Sequence, residues 1–155
     1  MRFETGTPSF EAQAGVLGTI DYLEWLGRTV APGVNDRRSA LLAAMTACVA
    51  YERALGERLL AGLTGLPGAR LYGPPTMDGR VPTFAFTLAG HTPAAIVAHL
   101  ATRAINAWAG HFYAVEPLAR LGLADSGGLV RVGLCHYNEA SEVDRLIAAL
   151  GELTA

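Results

Sequence analysis

With 155 residues, of which 51% are hydrophobic and 17% charged, the chain is long enough to fold around its own core and does not have the composition of a disordered protein. Its net charge of −2 gives no basic footprint for nucleic acid, and its best apolar run, from Leu41 to Ala50, is too short to cross a bilayer. We therefore expect a cytoplasmic protein with neither a nucleic-acid nor a membrane partner.

The basic residues are all arginines: the chain has twelve of them and no lysine. Mutational bias is one explanation, because the chain is also rich in alanine, glycine and leucine. Whatever the origin, this chain cannot itself form a lysine Schiff base. Its two cysteines, Cys48 and Cys135, form no disulfide or metal-binding pattern, and no metal site is expected.

The N-terminal third of the chain is predicted to be helical. A first helix should run from Ser9 to Leu26, with Gly27 as its C-terminal cap. After a break at residues 31–36, a long helix should run from Asp36 to Leu63. Its apolar stripe consists of Leu41, Met45, Cys48 or Val49, Leu55, Leu59 and Leu63.

Short strands and helices follow this helical segment. Strands are predicted at residues 69–72, 82–88, 104–108 and 129–135. Helices are predicted after Thr92, at residues 117–121, and after Asn138, which is the best available N-cap. Strands so few and short favour an α+β fold: a helical N-terminal segment followed by a small, mostly antiparallel sheet with helices packed on one face.

Arg131 stands in the last predicted strand, where the alternate valines form an apolar face. An arginine in such a strand either pairs with a carboxylate of the chain or binds one that arrives with a ligand. Glu116 and Glu142 are candidate partners for a structural salt bridge. The sequence leaves both alternatives open.

Several short motifs resemble the C-terminal part of class V aminotransferases. They are Gly-Thr-Pro before the first helix, LYGP, FTLAGHTP, WAGHFY and the ending VRVGLCHYNEASEVDRLIAAL. The resemblance covers residues 3–153 and is closest to the cysteine desulfurase-like branch of these fold-type I enzymes, which depend on pyridoxal 5'-phosphate (PLP). It implies the C-terminal domain fold of that class and, as the partner, a small-molecule substrate that is an amino acid of unspecified identity.

The resemblance also implies that this sequence is a fragment of a longer, dimeric enzyme. The family's Schiff-base lysine lies in a large domain that precedes the matched region, so no catalytic residue is expected in this chain. Residues 1–30 would be the end of the large-domain region, and residues 31–155 the small domain with its long leading helix. The expected protein partner is a second copy of the chain or the missing large domain. The alternative is a non-catalytic binding or dimerisation module derived from the small domain.

Roles for individual residues follow from the same resemblance. Gly6 and Thr7 would bind the phosphate of the partner subunit's cofactor, whereas on sequence alone they fit an ordinary turn. Arg131 would hold the substrate's α-carboxylate with its planar fork of donors. A substrate-pocket loop would include Trp108, His111 and Tyr113, for which packing or surface positions are the alternative.

This loop departs from the pattern of true cysteine desulfurases. They carry an arginine at the position of Trp108 and a catalytic cysteine at the position of Tyr113. A persulfide requires a thiolate, which a phenol cannot supply. The resemblance therefore leaves open whether the reaction is desulfuration, transamination or another.

Overall fold

The computed structural model describes residues 6–154, in which five helices and four strands follow one another. In chain order they are α1 (Phe10–Val30), α2 (Arg37–Gly65), β1 (Ala69–Tyr72), β2 (Thr83–Leu88), α3 (Pro93–Ala101), β3 (Trp108–Gly110), α4 (Val115–Arg120), β4 (Leu129–Gly133) and α5 (Ala140–Gly151). These strands form one antiparallel sheet with the order β1-β2-β4-β3. The α+β fold class expected from the sequence is confirmed.

The chain divides into two compact units, Met1–Ala50 and Tyr51–Ala155, and the boundary falls within α2. The predicted division after residue 30 concerns the domains of a longer enzyme, so it stays a prediction. Among the helices of residues 6–154, none combines the length and the apolar character that crossing a bilayer requires.

In the first unit, α1 and the beginning of α2 approach each other closely at Gly27. The prediction that Gly27 caps α1 is wrong, because the helix continues to Val30 and Gly27 is buried within it. A Cβ atom at position 27 would overlap the carbonyl oxygen of Ala40. The absence of a side chain is therefore required by a backbone contact between two helices.

The first unit leaves many large apolar side chains on its surface. Those more than 40% exposed are Phe10, Val16, Leu17, Tyr22, Trp25, Val30, Leu42, Met45 and Val49. The prediction that Met45 belongs to the buried stripe of α2 is wrong, because Ala40, Ala44 and Cys48 occupy the buried positions there. Exposed apolar surface of this extent is typical of a region against which another protein packs.

In the second unit, one face of the sheet carries the main hydrophobic core. Alternate residues of the central strands, Phe84 and Phe86 of β2 and Val130 and Val132 of β4, point into it. The helices that close this core contribute Leu55, Leu59, Leu60 and Leu63 from α2, Ile96 and Leu100 from α3, and Val143, Leu146, Ala149 and Leu150 from α5. The prediction that helices pack on one face of the sheet is confirmed for this core.

The opposite face of the sheet, which we call the second face, carries Arg131. Strand pairing aligns Arg131 of β4 with Ala85 of β2 and with Trp108 of β3, and Ala85 in turn with Tyr72 of β1. Residues paired in this way project to the same side of a sheet. Part of this face is covered by a small second cluster that contains Leu118, Leu123 and Leu129.

The third strand lies later in the chain than predicted. The sequence placed it at residues 104–108, but β3 begins at Trp108. Ala104 has a positive φ of 55°, and its backbone N–H donates to Ala101 within the turn that ends α3. The predicted stretch is therefore a turn and a connection, and the first part of the predicted loop, Trp108–Gly110, is the strand.

The start of α5 also differs from the prediction that Asn138 is its N-cap. The capping position belongs to Glu139, whose N–H donates to the Glu142 carboxylate at 2.8 Å. Asn138 instead accepts from the N–H of Cys135 and donates its side-chain amide to Glu142. This side-chain hydrogen bond, together with that from Glu139, holds the pKa of Glu142 below its ordinary value.

The close contact of α1 and α2 can be tested by substitution. Gly27→Ala should lower the free energy of unfolding by roughly 1–3 kcal/mol, because the methyl group has no room beside Ala40. Gly18→Ala is the control in the same helix, since no atom lies within 4 Å of its added Cβ. It should raise stability by up to about 1 kcal/mol. Urea denaturation measures both, and a stabilised Gly27→Ala variant would contradict the contact.

Candidate functional site

Arg131 lies in the middle of β4, which is an inner strand of the sheet between β2 and β3. Its neighbours along the strand, Val130 and Val132, are buried in the main core, whereas Arg131 itself is exposed on the second face. The strand alternation predicted from the sequence is thus confirmed. Its position on an inner strand fixes the backbone of Arg131 by hydrogen bonds on both sides.

The guanidinium of Arg131 stacks on an aromatic ring. Its central carbon lies 4.3 Å from the centroid of Phe112. This geometry is a cation–π contact, in which the positive charge faces the electron-rich side of the ring. Because an aromatic ring has no carboxylate oxygen to occupy the N–H donors of Arg131, this contact leaves those donors available to a ligand.

Within residues 6–154, Arg131 forms no ion pair. The two acids that the sequence offered as partners are engaged elsewhere: Glu116 pairs with Arg120 at 2.9 Å, and Glu142 caps α5. Of the two alternatives for Arg131, the salt bridge to Glu116 or Glu142 is therefore wrong. The described structure leaves the guanidinium charge without an acid to neutralise it.

The segment that carries Phe112 is a tight turn held in an uncommon backbone conformation. Phe112 and Tyr113 have positive φ angles of 51° and 60°. Such angles are unfavourable for residues with a side chain, at a cost of about 1–3 kcal/mol each. The turn is held by His111, whose Nδ1 accepts the N–H of Tyr113 at 3.1 Å and whose carbonyl accepts the N–H of Ala114 at 2.7 Å.

Phe112 is anchored by the second hydrophobic cluster. Its half-buried ring packs against the cluster of Leu118, Leu123 and Leu129, as do Tyr72 and Ala85. Ala85 is the residue that strand pairing places beside Arg131. Because Ala85 has only a methyl group, it leaves space on the second face that a larger residue would fill.

A cavity of about 190 Å³ lies beside this turn. It is lined by Gly110, His111, Val115, Leu118, Ala124, Gly127 and Gly128. Of the three residues predicted for the substrate-pocket loop, only His111 lines it. Trp108 is 71% exposed beside Arg131 on the second face, and Tyr113 is 97% exposed.

The cavity wall depends on a close approach of two glycines. A Cβ atom on Gly128 would overlap the carbonyl oxygen of Gly110, and Gly128 also has a positive φ of 85°. Gly110 ends β3 and Gly128 immediately precedes β4. This contact therefore fixes the position from which the 111–113 turn leaves the sheet.

Gly6 and Thr7 lie in the first unit, immediately before α1. Both are exposed, and no atom lies within 4 Å of the point where a Cβ of Gly6 would stand. Ser9 caps the helix by accepting the N–H of Ala12. An exposed glycine backbone, a threonine hydroxyl and the positive end of a 21-residue helix together suit a phosphate group. These residues fit the phosphate of PLP, while the lysine-free chain has no group to hold the cofactor covalently.

Both cysteines, His91 and His99 lie outside the 108–113 segment. The sequence placed Cys135 in the last strand, but β4 ends at Gly133 and Cys135 stands in the following turn. Cys48 is buried. His91 and His99 form hydrogen bonds through Nε2 with the carbonyls of Leu153 and Ala149. Over residues 6–154, no three His, Cys, Asp or Glu side chains lie together as metal ligands would.

Phe112 is the residue that the sequence did not single out. It lies within the WAGHFY motif, between two side chains that were proposed for the pocket. A single aromatic residue in a loop has no pattern that predicts stacking on a residue of a strand. The small neighbour that leaves space for the ring, Ala85, is placed beside Arg131 only by strand pairing, so the sequence contains no direct signal for this contact.

Comparison with known proteins finds similarity to one protein family. A family model described as aminotransferase class V matches residues 1–146. The uncharacterized protein MT3887 of Mycobacterium tuberculosis is 34% identical over 152 residues, which are 98% of this chain and 36% of that protein. A probable cysteine desulfurase of Mycolicibacterium paratuberculosis is 30% identical over 149 residues, which are 96% of this chain and 18% of that protein.

Solved structures give the same result. The cysteine desulfurase CsdA of Escherichia coli aligns with a TM-score of 0.66 and 29% identity, over 98% of this chain and 33% of that one. The cysteine desulfurase of Thermococcus onnurineus NA1 aligns with a TM-score of 0.66 and 26% identity, over 79% of this chain and 32% of that one. The chain thus spans about a third or less of the length of these relatives.

The contact of Gly128 with Gly110 leads to a prediction for the turn. Gly128→Ala should destabilise the second unit and increase hydrogen exchange in residues 108–113, because the methyl group would push β3 away from β4. Gly122→Ala is the control, since it has a positive φ of 72° but no atom within 4 Å of its Cβ. Both variants carry the same backbone strain, and only the first adds the overlap. Equal exchange profiles in the two variants would contradict the prediction.

Proposed function

This chain belongs to the class V aminotransferase family, and on that premise we propose that it is the carboxylate-binding part of a PLP-dependent enzyme that acts on an amino acid. The family and its cysteine desulfurase-like branch follow from the comparisons. The activity of a whole enzyme, its substrate and its partners are our proposal, because the chain spans about a third or less of the length of these relatives.

The single observation that carries the proposal is the state of Arg131. Its guanidinium is exposed, stacked on Phe112 and free of any acid within residues 6–154. A carboxylate can accept two parallel hydrogen bonds from the edge of such a group. An amino acid bound in this way would be oriented by its carboxylate, with its α-carbon held at a fixed distance from β4.

Gly6 and Thr7 are the residues that we propose for the cofactor's phosphate. In the resemblance noted above, this contact reaches the cofactor of a partner subunit. PLP supplies an electron sink for the bonds of an amino acid's α-carbon. The chain's own contribution would be to hold the phosphate and the substrate carboxylate, because it has no lysine.

The 108–113 segment would shape the space for the substrate's side chain. The cavity of about 190 Å³ next to His111 is large enough for a small amino-acid side chain. Trp108 would contact the substrate next to Arg131, with which it is aligned across the strands. Tyr113, which is almost fully exposed, would meet either substrate or another protein surface.

The segment has no residue that could accept sulfur. Its only side chains with an ionisable or hydroxyl group are those of His111 and Tyr113, and a phenol cannot form a persulfide. Cys135 is half-buried and lies in the turn after β4, not in the 111–113 turn. We therefore infer that the 108–113 segment does not supply a sulfur-accepting nucleophile, so the proposed role of this chain is to bind the substrate and the cofactor's phosphate.

A second candidate function is that of a non-catalytic module that binds or dimerises. The apolar surface of the first unit favours it, because that surface would be covered by a second copy of the chain or by a lysine-bearing large domain. Co-purification of the chain with a lysine-bearing partner would favour the enzyme. A stable assembly of this chain alone that binds no amino acid would favour the module.

The carboxylate proposal is tested by titrating the labelled chain with L-alanine and following the arginine side-chain signals by NMR. Arg131→Ala should weaken binding at least about tenfold, and Arg131→Lys should weaken it less, because lysine keeps the charge but lacks the fork. Arg70→Ala is the matched control: Arg70 is also exposed on the second face and lies over the Tyr72 ring at 5.0 Å. It should bind like the unaltered chain, and unchanged binding in Arg131→Ala would refute the proposal.

A further inference from the structure

We propose that Phe112 is a positioning residue for Arg131: its ring orients the guanidinium for a carboxylate, and the 111–113 turn sets the position of the ring. The inference rests on the proposed role of Arg131 and adds a requirement for a second residue. It also gives a reason for the strained backbone of the turn.

The side chain of an exposed arginine can adopt many rotamers unless a contact orients it. The side chain has about 2 kcal/mol of rotamer entropy, part of which is lost when the guanidinium is held in one orientation. Three other exposed arginines in the second unit, Arg53, Arg58 and Arg120, are oriented by acids; Arg58, for example, donates to both oxygens of Asp144. Arg131 has no such acid within residues 6–154. The stack on Phe112, at 4.3 Å, is the contact that orients it.

The contact with Phe112 leaves the N–H donors of Arg131 free. An acid that oriented Arg131 would occupy the same N–H donors that a substrate carboxylate needs. The ring of Phe112 instead attracts the positive charge through its π electrons and has no carboxylate oxygen to occupy the N–H donors. Phe112 can therefore orient the group without competing with a ligand. A bound carboxylate would lie roughly in the guanidinium plane, over or beside the ring.

The ring of Phe112 is itself held in position by side-chain and backbone contacts. Phe112 is fixed on one side by its packing on Leu118, Leu123 and Leu129. Along the backbone it is fixed by the hydrogen bond from Tyr113 N–H to His111 Nδ1. Two consecutive positive φ angles are costly and persist only where surrounding contacts hold them. The strain is explained if the position of the ring matters more than the cost of the turn.

The experiment compares Phe112→Leu with Phe112→Tyr in the full chain, using acetate as the carboxylate probe. The first readout is the ring-current shift of the Arg131 side-chain protons, which a stacked ring produces. Phe112→Leu should abolish this shift and weaken acetate binding about two- to fivefold, which corresponds to the usual strength of an exposed cation–π contact. Phe112→Tyr keeps an aromatic ring and should retain both the ring-current shift and the acetate binding of the unaltered chain.

Tyr72→Leu is the control, because it also replaces an aromatic residue packed on the second cluster but removes the ring under Arg70 and keeps the ring of Phe112. It should leave the Arg131 shift and acetate binding unchanged. Methyl signals of Leu118, Leu123 and Leu129 report whether the cluster remains folded in each variant. A Phe112→Leu chain that is folded and binds acetate as well as the unaltered chain overturns the inference.

The failure of this inference differs from that of the proposed function. If Arg131→Ala abolishes acetate binding and Phe112→Leu does not weaken it, only the positioning role of Phe112 is overturned. If Arg131→Ala leaves acetate binding unchanged, the proposed function is overturned, and the positioning role falls with it. A missing ring-current shift in the unaltered chain overturns the stack directly.

Discussion

The cation–π contact between the Arg131 guanidinium and the Phe112 ring, in place of an ion pair with an acid, is the interaction on which the proposed site depends. Arg131 is held by the inner strand β4 below and by Phe112 above. The strand fixes the backbone of Arg131 and the ring contacts its side chain, and neither carries a negative charge that would neutralise the guanidinium. In the described part of the chain the charge is thus fixed in place while its hydrogen-bond donors stay available, which is the condition that a carboxylate site requires.

The sheet has a separate hydrophobic cluster on each of its two faces, and each cluster fixes one part of the site. The main core on one face fixes the sheet, and the smaller cluster of Leu118, Leu123 and Leu129 on the other face fixes the aromatic ring. The contact of Gly110 with Gly128 determines where the turn leaves the sheet. A rigid strand therefore carries the charge, and a strained turn carries its support, which is the usual division between scaffold and site.

The sequence predicted the features that depend on local pattern. The strand alternation around Arg131 and most helix and strand positions follow from hydrophobic periodicity, which nearby residues determine. It could not predict features that depend on distant contacts. Gly27 resembles a helix cap, but its role is set by Ala40 on another helix. Phe112 looks like an ordinary loop aromatic, because its partner on β4 is adjacent only in the folded chain. Membership of the class V aminotransferase family was visible in short motifs, whereas the absence of a salt bridge to Glu116 or Glu142 required the structure.

The most direct test of the account is a crystal structure of this chain grown with L-alanine. We expect both carboxylate oxygens to lie about 2.7–2.9 Å from guanidinium nitrogens of Arg131, while the guanidinium stays over the ring of Phe112. A structure in which Arg131 is paired with an acid of the chain, and L-alanine is bound elsewhere or not at all, would contradict it.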